Sequence, residues 1–203
     1  MSALTELYEQ IKVCQKCEIS KARTHAVPGE GLENAEIMFI GEAPGWNEDQ
    51  QGRPFVGQAG QFLDRLLASI NLDRKKAYIA NVIKCRPPDN RDPLPTEIQN
   101  CAPWLEKQIE LIKPKMIVTL GRYSMARYFP GKSISKIHGT AIKRDGVIYF
   151  AMYHPAAALH QGNLRQSIEA DMLKIPKVLA ENKAVQEEKP KEPPAQQLNM
   201  FEV

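Results

Sequence analysis

Four cysteines and a few polar residues at the ends of apolar runs are the groups in this sequence equipped for chemistry. Cys14-x-x-Cys17, Cys85 and Cys101 are all the cysteines of the 203-residue chain. The segment Met1–Lys12 is charged and lacks the apolar block of a secretion signal. No apolar run approaches the ~20 residues needed to span a bilayer. An intracellular protein is therefore expected, and there four cysteines suggest a metal site more than two disulfides. The close Cys14/Cys17 pair can place two thiolates on one ion or cluster, and two remote thiolates can complete tetrahedral ligation. Zinc and a [4Fe–4S] cluster both accept four thiolates, and spacing does not separate them. The group's expected task is structural: it ties the N-terminal segment to the chain around Cys85 and to the helix around Cys101. The second set of groups is Gly41-Glu42, Asn81, Gly121 and His154-Pro155, each closing an apolar run.

These positions presuppose elements that bring them together. Glu36–Gly41, Ala77–Ile83, Met116–Gly121 and Val147–Tyr153 read as buried strands. Between them, Gly57–Leu72 has Phe62, Leu63, Leu66, Leu67 and Ile70 on one helical face. Thr96 with Gln99 forms a capping box that predicts a helix towards Ile112, with Pro103 kinking it or marking its start. Short and longer helices are predicted over Arg122–Tyr128 and Arg165–Glu181, and Ile134–Ile148 reads as a small irregular or hairpin region with Asp145-Gly146 as its turn. Alternating strands and helices predict a three-layer α/β/α domain around a central, mainly parallel four-stranded sheet. In such sheets ligands bind beyond the carboxyl ends of the strands. The polar residues above lie there.

Composition adds little about partners. Hydrophobic residues at 43% and charged residues at 25% are ordinary for a globular protein, and the net charge of +3 is only mildly basic. Residues 1–182 are expected to form one domain. From Lys183 the chain is rich in Glu, Lys, Pro, Ala and Gln, so residues 183–203 read as a disordered tail.

Gly41-Glu-Ala-Pro-Gly45, Gly52-Arg-Pro-Phe-Val-Gly57, Asn81, the four-cysteine pattern and His154-Pro-Ala-Ala157 resemble, in order and spacing, the family 4 uracil-DNA glycosylases. The match runs from about Cys14 to Gln161. The resemblance implies a [4Fe–4S] cluster rather than zinc. It also implies hydrolysis of the N-glycosidic bond of deoxyuridine in DNA, releasing uracil and leaving an abasic site for base-excision repair. The flipped uracil would stack on Phe55 and be read by the Asn81 amide, which offers a donor and an acceptor to O4 and N3–H. Glu48, held by Asn90, would fill the space of a thymine methyl. His154 would donate to uracil O2 as negative charge develops, with backbone N–H groups near Glu42 and Ala43 as further donors. The best-known uracil-DNA glycosylases have a water-positioning Asp where this chain has Ala43. Glu42 is therefore the residue expected to orient water or to stabilise the cationic sugar, with Asn90 a weaker candidate.

Ala156–Arg165 reads as a minor-groove loop, with Leu159 as a wedge and His160, Asn163 and Arg165 as phosphate contacts. Lys84, Arg86 and Arg122 are further phosphate candidates. Gln197–Phe201 resembles short sliding-clamp-binding peptides at the end of a flexible linker. A monomer is expected. A non-catalytic Fe–S DNA-binding or polymerase-associated module on the same fold is the alternative from another class. A small-nucleotide hydrolase is weaker, because no phosphate or Mg²⁺ motif is present.

Overall fold

A computed structural model describes the backbone of residues 1–187 and the side chains of residues 1–181. The Gln197–Phe201 peptide lies outside the described residues. The strands are β1 Glu30–Gly31, β2 Ile37–Gly41, β3 Tyr78–Asn81, β4 Met116–Leu120, β5 Ala141–Arg144 and β6 Val147–Met152. The helices are α1 Ala3–Lys12, α2 Ile19–Ala22, α3 Trp46–Gln51, α4 Gln58–Ser69, α5 Pro95–Ile112, α6 Arg122–Tyr128, α7 Ile134–Ile137, α8 Ala157–His160 and α9 Gly162–Glu187.

The strands form one sheet in the order β1-β3-β2-β4-β6-β5. The four expected strands are its centre, paired in parallel from β3 through β2 and β4 to β6. Two short antiparallel strands extend it at the edges to six, β1 against β3 and β5 against β6. The second of these is the hairpin foreseen around Asp145-Gly146. Because β3 lies on one side of β2 and β4 on the other, the topology switches at the carboxyl end of β2. That is where an open parallel sheet leaves a crevice.

Strands β2, β3 and β4 are buried along their whole length, as expected of strands covered on both faces, and β6 is buried except at Val147 and Tyr149. Alternate residues feed two cores. On one face Met38, Ile40, Ala80 and Ile117 pack against Leu4, Leu7 and Ile11 of α1, Leu105 of α5 and Met125 of α6. On the other, Ile37, Phe39, Val118 and Phe150 meet Phe62, Leu63, Leu66 and Leu67 of α4 and Ile168, Met172 and Ile175 of α9.

Several boundaries differ from the sequence reading, β3 closing at Asn81 before Ile83 and α4 at Ser69 before Leu72. Helix α5 begins at Pro95, and its start is closed by Glu97, whose carboxylate accepts the Leu94 N–H at 2.7 Å, not by Thr96 and Gln99. Pro103 lies inside this helix, not at its start. Helix α9 runs on to Glu187, past the composition change at Lys183. Among the described residues no helix is long and apolar enough to cross a membrane.

Candidate active site

The carboxyl ends of β2, β3 and β6 and the loops that follow them enclose a cleft of about 480 Å³. That is within the ~300–1,000 Å³ range of small-molecule sites. Of the residues singled out in the sequence, Glu42, Ala43, Glu48, Phe55, Asn81, Asn90, His154 and His160 all line it. Leu159 and Arg165 lie outside it.

Phe55 is held at one wall with its backbone in the left-handed region, at φ 52°. A non-glycine residue pays for this conformation with strain, so the surroundings must enforce it. The Arg74 guanidinium does so by donating to the carbonyls of Phe55, at 3.1 Å, and of Pro54, while pairing with Asp64 at 2.9 Å. Glycine at position 60 lets α4 close on the same loop, since a Cβ there would meet the Phe55 carbonyl oxygen at 1.9 Å. At the end of β2, a Cβ on Gly41 would meet Asn81 Oδ1 at 2.3 Å and the Phe55 ring at 2.6 Å. The strand end is thus open only because Gly41 leaves room for both side chains. The Phe55 ring stacks on the His154 imidazole, with centroids 5.5 Å apart and planes at 26°.

Asn81 ends β3, in register with Gly41. It is 1% exposed, and its Oδ1 is buried without a hydrogen-bond partner. An unpaired buried carbonyl costs about 1–3 kcal/mol. The site therefore carries an acceptor ready for an N–H brought in by a ligand.

Glu48 is not held by Asn90. Its Oε1 accepts the N–H groups of Val56 and Gly57 at 2.8 and 2.9 Å, and its Oε2 accepts that of Gly45 at 3.1 Å. The carboxylate thus pins the two glycine-rich loops together beside Phe55. Asn90, on the facing loop, instead accepts from the Arg86 guanidinium at 2.7 Å. Glu42 has no side-chain hydrogen bond among the described residues. Desolvation, helped by the nearby Asp92 charge and opposed by Arg122, raises its pKa to about 7. Arg122 itself pairs with Asp92.

His154 follows β6 by two residues and enters a turn with Pro155. Its Nδ1 lies 3.1 Å from the Ala156 N–H and accepts it, so the ring proton is on Nε2. Desolvation lowers its pKa to about 4, against a smaller upward pull from Glu48. The side chain is therefore a neutral donor with a fixed tautomer.

The four cysteines line a separate small cavity with Ile11, Arg23, Lys84 and Trp104. Among the described residues no three metal-ligating side chains converge as they would on a single ion. Three of the four sulfurs face N–H donors: Cys85 from Arg23 at 2.9 Å, Cys14 from Trp104 at 3.3 Å and Cys101 from the Lys84 backbone at 3.3 Å. Lys84 is not a phosphate contact, because its side chain is 1% exposed and bonded inward. Arg86 and Arg122 are tied to Asn90 and Asp92. Arg165 pairs with Glu169 at 2.9 Å and lies over the Phe62 ring. Leu159 is 45% exposed on α8.

Sequence reasoning missed the supports rather than the lining. Arg74 gave no signal. Gly60 did, since a glycine inside a helix is costly and marks a close approach. Arg91, which lines the cleft, is held by the buried Glu97 through two bonds of 2.9 and 2.6 Å.

Residues 28–174 match the model of the uracil DNA glycosylase superfamily. A type-4 uracil-DNA glycosylase of Sulfurisphaera tokodaii is 49% identical over 86% of this chain and 84% of its own length. Type-4 uracil-DNA glycosylases of Archaeoglobus fulgidus and Saccharolobus solfataricus are each 46% identical. The first match covers 86% of this chain and 92% of the relative, and the second 89% and 88%. With its switch-point cleft and these relatives, the chain belongs to the uracil-DNA glycosylase superfamily, among the type-4 enzymes.

Proposed function

We propose that the cleft hydrolyses the N-glycosidic bond of deoxyuridine in DNA, releasing uracil and leaving an abasic site for base-excision repair. The observation that carries the residue-level reading is the buried, unpaired Oδ1 of Asn81 beside the Phe55–His154 stack. Uracil offers N3–H to that oxygen and O4 to the amide N–H. Cytosine presents the reverse pattern and would leave both amide atoms unsatisfied, a penalty that selects strongly against it. The base must leave the duplex to arrive there, lying against Phe55. The Nε2–H of His154 is the donor for O2 as the leaving base becomes anionic. Glu42, whose carboxyl makes no hydrogen bond among the described residues, orients the water or offsets the charge of the oxocarbenium-like sugar. Glu48 shapes the wall by fixing the loops and thereby leaves no slack for a thymine methyl.

An end-labelled oligonucleotide carrying one uracil, treated with the enzyme and then with alkali, tests this. Cleavage at uracil, and none at cytosine or thymine in the same position, is expected. Intact uracil strands would reject the hydrolase in favour of a module that only binds DNA.

The four-thiol cavity is proposed to hold a [4Fe–4S] cluster. In support, the thiols surround a common space without meeting at one point, and N–H donors face three sulfurs. When bound, the group supplies a cross-link between the α1–α2 segment, the chain after β3 and α5. Lys84 and Arg23 offset the negative charge of the thiolates. Cys101→Ser should lower iron and acid-labile sulfide content, remove the visible charge-transfer absorbance and lower the melting temperature. Full iron content in that variant would overturn the ligand set.

DNA contacts are proposed for His160, which lines the cleft, for Leu159 beside it on α8 as the wedge, and for Arg165 in the first turn of α9. Acting as a monomer, with Gln197–Phe201 as a handle for a sliding clamp, is proposed on sequence alone.

A further inference from the structure

Lys84 is the one ammonium group among the largest fully buried side chains. Removing such a charge from water costs several kcal/mol unless its donors are matched. The side chain folds back from the bend after β3 towards the end of that strand. Its Nζ donates to the main-chain carbonyl of Asn81 at 2.8 Å and to Oε1 of Gln108 at 2.7 Å. Gln108 is itself fixed, donating to the Pro28 carbonyl and the Tyr78 hydroxyl at 2.8 Å each. The Tyr78 hydroxyl is shared in turn with Tyr8 at 2.7 Å. The Lys84 backbone is held at both polar atoms, its N–H by Cys101 Sγ at 3.3 Å and its carbonyl by the Val27 N–H at 2.7 Å.

This arrangement differs from ordinary packing in what it grips. The Asn81–Val82 peptide is tied on both edges, its N–H donating to the Gly41 carbonyl at 3.0 Å and its carbonyl, which faces away from β2, accepting from Lys84. The backbone at Asn81 sets the direction of its Cα–Cβ bond, and so the place from which the amide reaches into the cleft. An apolar residue of the same length would fill the space but leave that carbonyl and Gln108 Oε1 without donors.

We propose that Lys84 is a positioning residue for uracil selection. It sets the Asn81 amide from behind the cleft and joins it to the backbone that Cys101 holds. This rests on the reading of Asn81 as the base-reading group.

The test compares binding of DNA with a non-cleavable deoxyuridine analogue against the same DNA with cytosine, using the iron-loaded enzyme. Lys84→Met is placed in the wild-type and in the Asn81→Ala background. Lys84→Met should reduce the uracil-over-cytosine preference by about tenfold in the first background and less than about twofold in the second, the signature of a residue acting through Asn81. Retained preference in the first, or equal loss in both, would overturn the proposal. Should Lys84→Met not fold, Lys84→Gln carries the same comparison, being neutral and one atom too short to reach the Asn81 carbonyl. If Asn81→Ala alone leaves the preference unchanged, the reading of Asn81 fails. If Asn81→Ala removes it and the Lys84 variants do not, only the role of Lys84 fails.

Discussion

Glu42→Gln is expected to lower the single-turnover rate of uracil release by about 10²-fold, at the lower end of what a positioned acid–base group contributes. Affinity for uracil-containing DNA should change by less than about threefold, because the interaction is made in the transition state and not with the bound base. The pH dependence separates this from simple damage. With a carboxyl pKa raised to about 7, the wild-type rate should climb as pH passes through that value, and the Gln variant should show no such limb. The stability sign runs the opposite way. Below the unfolded pKa the carboxyl is neutral in both states; above it the unfolded chain ionises while the folded chain resists until about pH 7. Stability is therefore lost as pH rises through this window. The Gln variant should melt higher than wild type at pH 8 and close to it at pH 4, as read by calorimetry. Equal losses of rate and affinity, or an unchanged acid limb, would make Glu42 a binding group instead.

The destabilising character of Glu42 also bears on what sequence can disclose. The central sheet was legible because strands covered on both faces are nearly continuous apolar runs, as in Ile37–Gly41 and Met116–Leu120. Their polar terminations marked the cleft, since a parallel sheet gathers its carboxyl ends on one side. The edge strand β1 was not legible: two residues, Glu30 and Gly31, carry no period. Helix α1 is legible in the sequence as well, since Leu4, Leu7 and Ile11 repeat at helical spacing behind the capping residue Ser2. The start of α5 was misplaced because Thr96-x-x-Gln99 and Leu94-x-x-Glu97 compete, and the Glu97 carboxylate bonds both Leu94 N–H and Arg91.

Within the site, side-chain types were readable and partnerships were not. Nothing in a string of letters says that the Glu48 carboxylate turns to three backbone N–H groups, or that Asn90 turns to Arg86. Lys84 shows the difficulty most sharply. Beside Cys85 and Arg86 it reads as part of a basic surface stretch, yet the chain's path after β3 turns it inward, where Gln108, 24 residues on, supplies an acceptor. A strained Phe55 is equally invisible without Arg74, which reaches it from a different loop.

His154→Ala should lower the single-turnover rate by about 10²–10³-fold, the usual cost of removing one preorganised donor from a developing anion. The tautomer explains why histidine suits this place. With Nδ1 occupied by the Ala156 N–H, the imidazole can only donate from Nε2, and at a pKa near 4 it does so as a neutral ring. The acid limb near pH 7 therefore belongs to Glu42, and ¹⁵N spectra should report the Nε2–H tautomer of His154 down to about pH 5. The choice of leaving group gives a sharper test than rate alone. A 5-fluorouracil base departs as a more stable anion and needs less help from a donor at O2. His154→Ala should therefore cost excision of 5-fluorouracil clearly less than excision of uracil, while Asn81→Ala should cost both alike. Equal losses for the two bases in His154→Ala would mean that the imidazole only packs against Phe55, and that the charge of the departing base is met elsewhere.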